Sequence, residues 1–228
     1  MTSFVPTAVN DVVARVAYPI ECELQDNEEE LQRRFFQMLR MTCFVLFPLM
    51  MGLAALAEPV VRLLLTDKWI ETVPLIRILC FAWIWWPASN MSWQLLNAKH
   101  RSDYCLKAEI IKKVIAISIL VFSLFWGIKV VCIGMLLYYV ADVYVITVFS
   151  ARVLPGVTFA SEMKSMLPIL AYAAVMGTGV YLLDHMISSD AVSLAAGTAA
   201  GIVLYMAVTL LTGSREAWYL LEMIKKRR

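Results

Sequence analysis

Long uncharged apolar runs constrain this chain more than any other feature. A bilayer core of about 30 Å needs roughly 20 predominantly apolar residues in helical form, and six stretches meet or nearly meet that requirement. Met41–Ala57 is uncharged and is extended by Val60–Leu65 after Glu58-Pro59. Val73–Leu96 carries only Arg77, and Val130–Ala151 only Asp142. Ile110–Ile128 holds Lys112 and Lys113 near its start, while Ser165–Leu183 and Ala191–Ser214 hold no charge. With 61% apolar and 17% charged residues and a mean hydropathy of +0.72, the chain lies far from the soluble average of roughly 45–50% and 25%. An all-α, polytopic helical membrane protein is expected, with six transmembrane helices. The same composition excludes a disordered chain. A balance of 20 basic against 18 acidic residues lacks the basic excess of nucleic-acid binders.

Loop charges choose the orientation. One face collects Arg33, Arg34, Arg40, Lys99, Arg101, Lys107, Arg152, Lys164, Arg215, Lys225, Lys226, Arg227 and Arg228; the other has Arg62, Lys68, Arg77 and Lys129. The positive-inside rule places the first group, and the C-terminus, in the cytoplasm. Three regions follow: residues 1–40, the end of a truncated membrane helix and a cytoplasmic amphipathic helix; 41–214, a six-helix lobe; and 215–228, a basic amphipathic tail resting on anionic headgroups. Phe4–Ile20 is too short and polar to span and lacks the features of a signal peptide. Asn27 with Glu30 gives a cap-like helix start, followed by the i,i+4 pairs Glu29/Arg33 and Glu30/Arg34. That helix is expected to lie along the inner surface and lead into the first span. Glu58–Glu71, with Trp69, suits an interfacial helix. Pro48, Pro87 and Pro168 predict kinks, and Gly197-x-x-x-Gly201 a close helix contact.

Ionisable residues at membrane depth are the candidate functional groups, because burying them is costly. Val114–Ile128 alone is about 22 Å long at 1.5 Å per residue, so the membrane must take in part of Glu109–Lys113. Glu109, Lys112 and Lys113 share a helical face. They form either a patch for a lipid diphosphate or a pair of lysines snorkelling to the headgroups. Asp142 either pairs with one of those lysines, stays protonated, or binds a coupling cation. Arg77, near the outer end of its span, either snorkels outward or faces a cavity. Trp83, Trp85, Trp86 and Trp93 suit packing and interface anchoring, or stacking on sugars at a cavity edge. The five cysteines form no C-x-x-C pair, and only His100 and His185 are present. No metal site or cofactor is therefore expected. The short loops leave no room for a catalytic domain, so the chain does not read as an enzyme.

Arg15–Asn27 (RVAYPIECELQDN), Phe47–Trp69 (FPLMMGLAALAEPVVRLLLTDKW) and Arg101–Lys113 (RSDYCLKAEIIKK) together resemble the polysaccharide flippases. These form a branch of the multidrug/oligosaccharidyl-lipid/polysaccharide transporter superfamily that serves lipopolysaccharide, O-antigen and capsular polysaccharide biosynthesis. The resemblance maps onto that family's C-terminal half. It implies one lobe of a two-lobe transporter of the bacterial inner membrane, flipping undecaprenyl-diphosphate-linked oligosaccharide by alternating access. It also implies substrate contacts at Glu109, Lys112 and Lys113. The partners implied are the lipid-linked oligosaccharide, the bilayer, and either a missing N-terminal lobe or a second copy of the chain. A drug/cation antiporter of the same superfamily and a non-transporting scaffold for polysaccharide assembly are the alternatives.

Overall fold

The computed structural model describes residues 27–187, 189–214 and 216; the expectations for Phe4–Ile20, Cys22 and the basic tail lie outside them. The described residues form helices without strands, in the order α1 (Glu28–Ala55), α2 (Ala57–Leu65), a 3-10 turn (Asp67–Thr72), α3 (Val73–Trp83), α4 (Trp86–Ala98), α5 (Ser102–Leu124), α6 (Ile128–Val153), α7 (Phe159–Met186) and α8 (Asp190–Leu211).

α1 is the central helix. Leu31, Phe35, Leu39, Leu46, Phe47 and Met50 recur along it at helical spacing and are all fully buried, with α3, α4, α7 and α8 packed around them. The Asn27 carboxamide oxygen accepts from the Glu30 amide at 3.2 Å and caps the helix start, as expected. The surface helix foreseen before the first span is instead the first part of α1. No break separates it at Arg40, and Leu31, Phe35 and Leu39 face the interior. Glu30, rather than a staggered pair of glutamates, takes both Arg33 and Arg34, at 2.7 and 2.9 Å.

Prolines shape two helices differently. Pro87 has no N–H for the Trp83 carbonyl, and the expected span breaks between Trp83 and Trp86 into α3 and α4. Pro48 lies inside an unbroken α1, where it leaves the Phe44 carbonyl without its helical donor. The Tyr205 hydroxyl of α8 donates to that carbonyl at 2.9 Å, and its ring stacks on Phe44 with centroids 5.0 Å apart. One tyrosine thus repairs the proline defect and fixes α8 on α1. Tyr205→Phe should cost about 1 kcal/mol, read as a lower midpoint in detergent unfolding with the helical signal unchanged.

α5/α6 and α7/α8 are hairpins closed by short turns, the first through Gly127, whose φ of 90° suits glycine. α8 lies close to its neighbours: a Cβ on Gly197 would meet Leu56 at 2.7 Å, and one on Gly201 would meet Val180 at 3.2 Å. Among the described residues five helical segments are long and apolar enough to cross a membrane: Glu28–Ala55, Asp67–Ala98, Ile128–Val153, Phe159–Met186 and Asp190–Leu211. The stretch expected as the remaining span forms the helix α5, whose 23 residues reach about 34 Å but which is not among the five. Asp103, Lys107, Glu109, Lys112 and Lys113 put five charges in its first half, which is why it falls short on apolarity. Outward-facing apolar side chains such as Phe122, Ile202 and Val203, each more than 60% exposed, give the exterior the character of a surface that meets lipid.

Candidate functional site

The polar interior lies where α4, α5, α6 and the start of α7 meet. Lys112 of α5 is 6% exposed and Asp142 of α6 is 5% exposed. The Lys112 Nζ is 2.8 Å from Asp142 Oδ1 and 2.9 Å from Glu109 Oε1. It also stands 5.3 Å from the centroid of the Trp93 ring. The Ser89 hydroxyl of α4 donates to the other Asp142 oxygen. Every strong donor and acceptor of this pair is occupied, as a buried charge requires.

This arrangement realises the first of the three options for Asp142, pairing with a lysine of the preceding span. It also changes the character of the cluster. Glu109 and Asp142 offset Lys112 and Lys113, so the four residues sum to no net charge. Lys113 is only 3.9 Å from Glu109 and its side chain is 70% exposed, leaving it as the lysine available to an outside anion. Arg77 is not part of this group. Its Nε donates to the Ala54 carbonyl at 3.2 Å and its guanidinium lies 5.3 Å from the Tyr181 ring centroid. It lines a separate cleft of about 210 Å³ with Phe81 and Thr178. Trp83 packs against Trp86 and Tyr139, in line with a packing role, whereas Trp93 sits beside Lys112.

A second buried carboxylate, Glu162, belongs to the stretch between the expected spans Val130–Ala151 and Ser165–Leu183, where the sequence alone suggests an exposed loop. α6 runs on to Val153 and α7 starts at Phe159, held by a capping box between Thr158 and Ser161. Glu162 falls in the first turns of α7 and is fully buried. Ser92 of α4 donates to its Oε1 at 2.8 Å, and Thr147 of α6 to its Oε2 at 2.7 Å. Ser150 ties the same two helices by donating to the Ser92 carbonyl at 3.3 Å. The signal in the sequence was the pair Ser89 and Ser92. Two hydroxyls one turn apart in an apolar span ask for partners on a neighbouring helix, and each serine serves one of the two carboxylates.

The field at a helix start favours a negative charge by about 0.3–1 kcal/mol, up to about 2 when partly buried. Taking an ion out of water costs several kcal/mol even after relaxation. Lys112 answers that cost for Asp142. Among the described residues no cation does so for Glu162, where only the two hydroxyls assist.

Outside the spans, Arg101 is stacked 3.9 Å from the Tyr104 ring centroid and paired with Asp103 at 2.9 Å. The hydrogen bond from Arg101 holds the Asp103 carboxyl below its ordinary range. The pair fastens the turn into α5 and so the register of Glu109 and Lys112. Cys43, Cys80, Cys105 and Cys132 are buried free thiols. No cluster of three or more metal-ligating His, Cys, Asp or Glu side chains occurs among the described residues.

A family model described as "Polysaccharide biosynthesis protein" matches residues 1–74. An "Uncharacterized membrane protein in cps region" of Klebsiella pneumoniae is 31% identical over 122 residues, covering 54% of this chain and 25% of that protein. "Lipopolysaccharide biosynthesis protein WzxC" of Escherichia coli strain K12 is 29% identical over 107 residues, 47% of this chain and 22% of its own length. "Teichuronic acid biosynthesis protein TuaB" of Bacillus subtilis strain 168 is 30% identical over 95 residues, 42% of this chain and 20% of that protein. The matches thus span a quarter or less of these relatives. Among solved structures, the inward closed conformation of the lipid II flippase MurJ superposes with a TM-score of 0.71 at 18% identity, over 92% of this chain and 44% of that one. The partial sequence matches and the shared fold agree with the resemblance read from the sequence: part of the chain is similar to polysaccharide biosynthesis proteins, and its helices follow the fold of a lipid flippase.

Proposed function

We propose that this chain is the C-terminal lobe of a flippase that moves undecaprenyl-diphosphate-linked oligosaccharide across the bacterial inner membrane by alternating access. On this reading it serves lipopolysaccharide or capsular polysaccharide biosynthesis and performs no enzymatic chemistry. The observation that carries the proposal is the fixed charge cluster Glu109–Lys112–Asp142 inside a predominantly apolar helical lobe. Charges at membrane depth are costly and mark transport pathways. The names of the relatives support the substrate class. The excess of lysine and arginine on one face supports cytoplasmic placement of the C-terminus.

On this reading the candidate residues divide by task. Lys112 is engaged by two carboxylates and organises α4, α5 and α6. Lys113, exposed beside it, is the residue that meets the diphosphate near the inner leaflet, with Glu109 as its tether. Arg77 serves an anionic group at the opposite end, and Asp142 acts as the ion-pair partner that keeps Lys112 in place. A lobe of this kind builds a central cavity only against a second lobe, either an N-terminal one or another copy of the chain.

Because Lys112 and Asp142 are one pair, neutralising either disturbs the same contact and does not separate a flippase from a drug/cation antiporter. Lys113 does separate them, since its exposure makes Lys113→Gln nearly neutral for folding. In cells whose surface glycan depends on the chain, Lys113→Gln should lower glycan export severalfold at unchanged protein level and leave drug resistance unaltered. Normal export by this variant, combined with drug sensitivity on deleting the chain, would favour the antiporter. Normal export by the variant with export lost on deletion would favour the scaffold.

A further inference from the structure

Two carboxylates are buried along one seam, one turn apart on the α4 side, and they are treated differently. Ser89 and Ser92 lie three residues apart on α4; the first donates to Asp142 and the second to Glu162. Asp142 has the Lys112 ammonium at 2.8 Å. Glu162 has the Ser92 and Thr147 hydroxyls and, among the described residues, no ammonium or guanidinium. The groups around it can be named from each side. From α1 the buried Cys43 thiol lies within electrostatic range of it. From α4 and α6 come Ser92 and Thr147. On α7 itself Lys164 follows two residues later on a different side of the helix and is exposed. Arg152 of α6 is also exposed and lies over the Phe149 ring.

We propose that Glu162 is a buried proton-binding site, separate from the Lys112–Asp142 pair, which holds one proton while α7 is packed on α4 and α6 and releases it to water when the start of α7 draws away. A full negative charge in this setting has no cation among the described residues to offset it, and two hydroxyl donors are weak compensation for a carboxylate taken out of water. A neutral carboxylic acid uses the same shell well. Its carbonyl oxygen accepts from one hydroxyl, and its own O–H donates to the other, whose hydrogen can turn back to a carbonyl of the preceding helical turn. A hard metal cation is a poorer occupant. Two carboxylate and two hydroxyl oxygens converge here, fewer than the six or more such ions gather, and the Ser92 carbonyl is already taken by Ser150.

The site has a mechanical consequence. Its ligands come from three helices, so separating α7 from α4 and α6 removes the hydroxyls and admits water together. Loss of the proton in the closed packing would strand a charge among Ser92, Thr147 and Cys43. Proton release and the opening of this end of the bundle are therefore one linked equilibrium, in which higher pH favours the open arrangement.

Infrared spectroscopy of the chain in lipid nanodiscs tests this without requiring transport, so its outcome is independent of the flippase reading. At neutral pH the wild type should show the carbonyl stretch of a protonated carboxyl. That band should vanish in Glu162→Gln, persist in Asp142→Asn, and be the same in sodium and choline buffers. Should Glu162→Gln fail to fold, the wild-type band can be assigned by isotope labelling: it must shift with labelled glutamate and not with labelled aspartate. A band absent from the wild type, unchanged in Glu162→Gln, shifted by labelled aspartate, or abolished by sodium would each overturn the proposal, the last in favour of a cation site.

Discussion

Lys112→Met should destabilise the chain by about 3–5 kcal/mol, the cost of removing one partner from a buried ion pair. Methionine keeps an unbranched stem as far as the Cε position and removes the ammonium together with its contacts to Asp142, Glu109 and the Trp93 ring, so the loss is chiefly electrostatic. Asp142, 5% exposed, would keep only the Ser89 hydroxyl. The converse change is milder. In Asp142→Asn, Lys112 retains Glu109 at 2.9 Å, and asparagine still accepts from Ser89. The double variant Lys112→Met/Asp142→Asn should recover most of the stability lost in Lys112→Met, because no buried charge is left alone. Unfolding of the four proteins in detergent closes a double-mutant cycle, with an expected coupling of roughly 2–3 kcal/mol, at the upper end of the range for contacting residues. Equal losses for the two single variants, or additivity in the double, would refute the asymmetric triad.

That asymmetry was only partly open to the sequence. Ile110–Ile128 is too short without its charged entry, so Lys112 was bound to lie at membrane depth, and Asp142 was the acid within reach in the next span. Pairing was therefore foreseeable. What the spacing does not fix is which lysine turns inward. Lys112 and Lys113 differ by about 100° around the helix, and the side of α5 that meets α6 depends on the packing of Cys105 and Ala108 against Ile146 and Phe149. The spans were legible because a bilayer imposes length and apolarity on each helix separately. The break before Trp86 was legible because Pro87 removes a donor wherever it stands. The fate of Pro48 was not, since the Phe44 carbonyl is satisfied by Tyr205 from 161 residues away. The surface helix was misplaced for a related reason: charges near Glu28–Arg34 marked one side as polar, while Leu31, Phe35 and Leu39 on the other side found a protein interior instead of headgroups.

Glu162 is the position where sequence and structure part furthest, and it carries the second large effect. Glu162→Ala should cost about 2–4 kcal/mol. The change orphans two buried hydroxyls, Ser92 and Thr147, which are 0% and 1% exposed, and an unsatisfied buried group is worth about 1–3 kcal/mol. Both hydroxyls belong to helical residues and can turn back to a carbonyl of the preceding turn, which keeps the total below the simple sum. The space left by the carboxylate adds to it. Glu162→Gln should cost less than about 1 kcal/mol, because the amide fills the same space, accepts from one hydroxyl and donates to the other. The contrast separates two roles. A carboxylate that stabilises by its charge is lost equally in both variants. One that acts as a neutral hydrogen-bonding hub is lost only in alanine, and comparing the two unfolding midpoints at neutral pH decides between them.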